Sequence, residues 1–215
     1  MTVPEIARLL ARHHLGLFGG FHATPQDDLP AGTQTVLLLG PAEPGFWPHV
    51  TAEPEWDGKP DPLDRWSRRV IGQLASDLGA RALFPFGGPP HRPFYHWALR
   101  TGRAFRSPVV LLVHDTAGLM VSYRGALALP EQLALPATGP SPCGTCDGQP
   151  CRTACIPGAL TTDGYHIAKC IAFIDTPAGG GCMNSGCTVR RACPLSRRYA
   201  RVPEQSAYHM RQFHQ

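Results

Sequence analysis

The chain has 215 residues, of which 43% are hydrophobic and 17% charged, and its formal net charge is +4. That is one large domain or two small ones with enough apolar material for a core, and it excludes a disordered tail, a collagen repeat and a coiled coil. Glu5, Arg8 and Arg12 interrupt the apolar residues at the start, and no stretch approaches the roughly 18 apolar residues of a membrane span. The expectation is a soluble cytoplasmic protein with no membrane partner.

The first element predicted is a helix. Thr2 and Glu5 have capping-box spacing, Pro4 suits a first turn, and Ile6, Leu9, Leu10 and His13 share a face. Two strand-like apolar runs follow, Leu15 to Phe21 and Thr35 to Leu39. The stretch from Pro41 to Pro62, rich in Pro, Gly and acidic residues, reads as a long loop. Leu63 to Ala80 carries an amphipathic stripe of Trp66, Val70, Ile71, Leu74 and Leu78 and predicts the strongest helix of the chain. Ala82 to Phe86 reads as a short strand. Gly87-Gly88-Pro89-Pro90 then breaks regular structure before a short helix over Phe94 to Arg100.

Val109 to His114 and Leu119 to Leu129 predict two strands of a hairpin around the turn Asp115-Thr116-Ala117-Gly118. Residues 130–142 hold four prolines and no periodicity, as a linker does. The mixture of helices and strands predicts an α+β domain over residues 1–129, the linker over 130–142, a cysteine-rich module over 143–201 and a tail over 202–215. No spacing in the Gly32 to Gly40 run suits a phosphate or dinucleotide loop.

All eight cysteines fall between Cys143 and Cys193. Their order is Cys143-x2-Cys146-x4-Cys151-x3-Cys155, then Cys170, then Cys182-x4-Cys187-x5-Cys193-Pro194. A disulfide framework belongs to exported chains, so metal or cluster ligation is the better account. Paired C-x2-C motifs would suit zinc, but only Cys143 and Cys146 have that spacing. In two-cluster ferredoxins close cysteines wrap one cubane, and the fourth of each run ligates the other cluster. Eight thiols supply two sets of four.

Charge follows the same division. Residues 1–142 carry 12 basic and 12 acidic side chains, whereas residues 143–215 carry 8 and 4, so the whole excess sits with the cysteines. An oxidised cubane with four thiolates carries about −2, so two of them nearly cancel that excess.

The run Cys143-Gly-Thr-Cys146 through Cys151-Arg-Thr-Ala-Cys155-Ile-Pro-Gly-Ala-Leu160, the lone cysteine in Lys169-Cys170-Ile-Ala-Phe173 and the closing Cys193-Pro194 resemble the double-cluster module of the epoxyqueuosine reductases. The resemblance implies one [4Fe-4S] cluster on Cys143, Cys146, Cys151 and Cys193, and another on Cys155, Cys170, Cys182 and Cys187. Here four residues separate Cys146 from Cys151, where the family has two. Ile156 stands between Cys155 and Pro157, where the family has none. Five residues instead of three precede Cys193.

Upstream, Trp97-Ala-Leu-Arg-Thr-Gly102, Ser107-Pro-Val-Val-Leu-Leu-Val-His114 and Tyr123-Arg-Gly-Ala-Leu127 are similar to the family's cobalamin-holding domain. The fold implied is nitroreductase-like, akin to the cobalamin-processing proteins, with a small ferredoxin-like module after it. His96, Trp97, Arg100, Tyr123 and Arg124 become candidates to line a corrinoid or flavin-type pocket. The family's proton donor lies about ten positions before the residue matched by Trp97, near Gly88. No carboxylate stands between Asp77 and Asp115. Epoxide opening needs a positioned acid, so epoxyqueuosine reduction itself is not expected.

The function expected is one-electron transfer by two [4Fe-4S] clusters, with a reduced ferredoxin or flavodoxin as redox partner. Two alternatives stay open: a corrinoid-dependent reductase or cobalamin reductase/dealkylase, which would make the chain an oxidoreductase, and a zinc-stabilised module binding nucleic acid. Arg190, Arg191, Arg197, Arg198 and Arg201 serve cluster charge balance and partner docking in the first reading and RNA in the last.

Overall fold

The structure is a computed structural model that describes residues 1–214. In chain order its elements are α1 (Val3–Ala11), β1 (Leu15–His22), β2 (Thr35–Pro41), α2 (Phe46–Thr51), α3 (Pro62–Asp77), β3 (Arg81–Leu83), α4 (Phe94–Arg100), β4 (Ala104–Arg106), β5 (Leu112–His114), β6 (Gly125–Leu129), α5 (Ile167–Ile174), α6 (Gly180–Ser185), α7 (Thr188–Ala192), α8 (Pro194–Tyr199) and α9 (Pro203–Phe213). The chain is α+β, as its patterning predicts. It divides into two compact units, one of Met1–Arg103 with Ser122–Gly139 and one of Ala104–Val121 with Pro140–Gln215.

In the first unit α1 begins where the sequence places it, with the Thr2 N–H and hydroxyl both donating to Glu5 at 2.7 and 2.9 Å. Its buried face is Val3, Ile6 and Leu10. Four antiparallel strands form a sheet in the order β1-β2-β6-β3. Every residue of β2 and β6 is buried. Unbroken apolar runs suit strands covered on both faces, where alternation has no solvent side to serve. Helix α3 packs on β3 and β6, and α1 and α4 pack on β1. Its stripe of Trp66, Val70, Ile71 and Leu74 is buried.

Gly40 in β2 is set by packing. A Cβ there would press on the Phe18 ring and come within 2.7 Å of the Ser122 carbonyl oxygen. The long loop expected over residues 41–62 contains the short helix α2, whose Phe46 and Val50 are buried. Residues 130–139, which composition marks as linker, lie on this unit. The Leu133 N–H donates to Thr35 Oγ1 at 3.0 Å, and Thr35 Oγ1 donates to the Glu131 carbonyl at 2.7 Å.

The expected hairpin of residues 109–129 does not form. Strand β5 pairs with β4, at Ala104↔His114 and Arg106↔Leu112, and β6 pairs with β2 and β3 of the other sheet. The reason lies in the turn. Gly118 has φ +56° and bridges straight back to His114. The buried His114 ring takes the Thr116 and Ala117 N–H groups on Nδ1 at 3.1 and 3.3 Å. The turn closes within four residues of the end of β5, and no partner strand emerges from it.

In the second unit, Val109, Val113 and Leu119 of the inserted segment pack with Cys151, Leu160, Val189 and Cys193 in one apolar cluster. A Cβ on Gly118 would come within 2.8 Å of Ser196 Oγ, so this glycine lets the turn lie against α8. Residues 203–213, set aside from composition as tail, form α9 and pack on α6.

Candidate metal centre

The eight cysteines are all free thiols. Four of them, Cys143, Cys146, Cys151 and Cys193, line one small cavity, with Val113 and Leu119 as apolar wall. Tight local turns place the first three. Cys146 N–H donates to the Cys143 carbonyl at 3.4 Å, the Gln149 amide donates to the same carbonyl at 3.1 Å, and Pro150–Arg152 form a 3-10 turn that buries Cys151. Cys193 arrives from far along the chain at the junction of α7 and α8, where Pro194 opens the new helix.

These thiols act on one another electrostatically. Burial pushes the Cys143 thiol up, and the neighbouring Cys151, Cys193 and Cys146 push it further. Burial likewise raises Cys151, with Cys193 and Cys146 adding to it. Cys143 and Cys151, partly withdrawn from water beside other thiols, resist ionising unless a cationic centre takes up the charge, which is what a metal core does. Among the described residues, no three His, Cys, Asp or Glu side chains form a group suited to a single metal ion.

The other four thiols are tied by local contacts rather than by one cavity. Cys155 receives the Ala159 and Leu160 N–H groups on its sulfur at 3.2 and 3.3 Å, in the loop that Gly158 turns with φ +61°. Cys182 on α6 lies 3.1 Å from the Thr188 hydroxyl. Burial raises the Cys187 thiol, whereas the backbone N–H and guanidinium of Arg190 and the N–H of Val189 work the other way; Cys182 is close enough to add to the rise. Cys170 on α5 is hydrogen-bonded to the Tyr165 hydroxyl, and burial followed by that contact drives Tyr165 far above the usual phenol range. Cys155 and Cys187 both pack against the apolar cluster that holds Cys151 and Cys193.

No protein-family model, curated protein or solved structure matches this chain.

The basic stretch near the last cysteines is largely occupied. Arg190 donates to the Leu119 carbonyl, Arg191 to the Gly186 carbonyl at 3.0 Å, and Arg197 to the Arg191 carbonyl at 3.2 Å. Spacing in the sequence had marked this stretch for charge but not Tyr165 or Thr188. Their role follows from neighbours distant in the chain or across a turn, which no cysteine motif announces.

The candidate pocket residues of the first unit lie on α4 and in the segment that leads into β6. His96 is exposed on α4, and Trp97 is 1% exposed, its indole packed on Phe94 at 5.0 Å and Phe21 at 6.3 Å between ring centres. Arg100 lies over Phe21, pairs with Asp27 and donates to the His22 carbonyl at 2.9 Å. Tyr123 meets Phe18 edge-on. Arg124 is 8% exposed and turns to α3, donating to Ser67 Oγ at 3.0 Å and to the Asp64 carboxylate. Trp97 is thus engaged by ring packing and Arg124 by α3.

Proposed function

We propose that this chain is an iron–sulfur electron carrier with one cubane cluster on Cys143, Cys146, Cys151 and Cys193 and a second on Cys155, Cys170, Cys182 and Cys187. One observation carries the reading. Four cysteines from both ends of the cysteine-rich segment line a single cavity, where burial and then the neighbouring thiols raise the pKa of Cys143 and Cys151. Ligands of a cluster bind different irons around a core, so they ring a cavity, whereas the ligands of one zinc ion meet at a point.

When bound, such clusters take up and release single electrons. The protein's own part is to hold the thiols, donate hydrogen bonds to sulfur and keep water away. Val113, Leu119 and the buried Cys151 and Cys193 serve the last role in the first set. Ala159, Leu160, Tyr165 and Thr188 serve the second role in the other. A ferredoxin or flavodoxin is the redox partner proposed, docking on the exposed Arg197 and Arg198 beside the last cysteines.

Anaerobic purification tests this, with iron, acid-labile sulfide and zinc measured per chain and absorbance recorded before and after dithionite. About eight irons and eight sulfides, with a visible band that bleaches, are expected. Iron-free, colourless protein holding about two zinc ions refutes the proposal and leaves a structural metal module.

A further inference from the structure

Away from the cysteines, three histidines gather in the first unit. His14 and His49 stand 5.0 Å apart between ring centres, and His13 and His49 stand 6.5 Å apart. His13 and His14 lie between α1 and β1, and His49 lies on α2. A Cβ on Gly45 would collide with the His14 ring, so the glycine just before α2 lets the two segments meet. On α3 the fully buried Trp66 takes His49 and Phe46 edge-on, at 6.1 and 5.4 Å between ring centres.

Imidazole is the side chain that ordinarily changes charge between about pH 5 and 8. A positive charge on His49 would be poorly served. Its Nε2 atom is buried and has no hydrogen-bond partner among the described residues. The Glu53 carboxylate it faces is 3.9 Å away, and Glu53 is already paired with Arg69 at 2.5 Å. The other groups facing the ring are His14 and His13 from the turn after α1 and Arg69 from α3, and all three oppose a cation there. Burial opposes it most and holds His49 below its ordinary value of 6.5.

Helix α2 can move without disturbing the sheet. It has six residues, and it is joined to β2 by residues 42–45 and to α3 by residues 52–61, so its departure breaks no strand ladder. A helix this short keeps its shape only through tertiary contacts. Those are the buried Phe46 and Val50 and the His49 ring.

We propose that His49 is a proton-sensitive latch: α2 is docked on Trp66 while the ring is neutral and undocks when the ring takes up a proton. The direction follows from linkage. A histidine held neutral in the folded state contributes stability that is complete above about pH 6.5 and is lost as pH falls to the folded value. Undocking lets water solvate the imidazolium, which the closed form does not. The latch is independent of the iron–sulfur reading.

The test is hydrogen exchange read by mass spectrometry on the full chain between about pH 7.5 and 5.5, with rates corrected for the intrinsic effect of pH. In wild type the opening of residues 45–52 is expected to rise up to about tenfold over that range, with one proton taken up per opening, while β2 and β6 stay protected. H49Q is polar but cannot be charged, and it is expected to abolish the rise. H14Q removes one opposing imidazole, and R69Q removes an opposing cation and frees Glu53 for His49; both are expected to shrink it. These two carry the test should H49Q fail to fold. E53Q removes the carboxylate that supports the charge and is expected to enlarge the rise, the opposite sign.

Opening of residues 45–52 that ignores pH overturns the proposal. So does a rise that survives in H49Q, or one shared equally by β2 and β6, which marks general loosening in acid rather than a latch.

Discussion

Replacing Cys151 by serine removes one ligand from a cavity that three other thiols share. The substitution changes little else, because serine differs by one atom and the site is 7% exposed in a tight turn. If each set holds one cubane, C151S is expected to lower iron from about eight to about four per chain. The double variant C151S/C193S is expected to lose no more, since Cys193 lines the same cavity. C151S/C187S takes a ligand from each set and is expected to approach zero. In a double-mutant cycle, the coupling between positions 151 and 193 equals the whole effect of either, and that between 151 and 187 is near nil. The assay is iron and sulfide content after anaerobic purification, with far-ultraviolet circular dichroism to confirm folding. Near-zero iron in C151S/C193S, or about four irons in C151S/C187S, refutes the division of the thiols.

Three further outcomes concern the first unit. G40A is expected to destabilise the chain by about 1–3 kcal/mol in chemical denaturation, because the new methyl group presses on Phe18 and the Ser122 carbonyl inside a filled core. R124L leaves Asp64 and Ser67 without their buried donor and is expected to cost about 1–3 kcal/mol, read in the same way; an unchanged midpoint would show the pair to be idle. Asp27 supplies a pH signature. Burial works to raise its pKa, but the hydrogen bond from Arg100 and those from Thr24 outweigh burial and hold it below the ordinary 3.8. A depressed carboxylate pKa gives stability that is present above about pH 4 and lost as pH falls through the folded value. D27N is therefore expected to be less stable than wild type at pH 7 and to show a shallower loss of stability between about pH 4 and 2, measured as urea midpoints across that range.

Much of this protein is legible from residues near one another in the chain. The cap Thr2/Glu5, the α3 stripe from Trp66 to Leu74 and the apolar runs of β1 and β2 depend on local spacing and form where that spacing puts them, although α3 ends at Asp77, before the Leu78 and Ala80 that the pattern includes. Composition also isolates the cysteines with the surplus of positive charge, because eight thiols and a run of arginines need no fold to be counted.

Tertiary structure decided what depends on distant neighbours. Residues 109–129 look like a hairpin because two apolar runs flank a turn, but pairing depends on which strand edge is open. The sheet edge between β2 and β3 takes β6, and β4 takes β5. Trp97 and Arg124 have side chains that suit a ligand pocket, and only packing shows that the first fills a core and the second holds α3. Which four thiols share a cavity is likewise a long-range fact, since Cys193 lies 42 residues beyond Cys151 and reaches it through the turn at Gly118 and the start of α8. Local spacing fixes residue chemistry and periodicity. Loop closure and core packing select which of those residues meet.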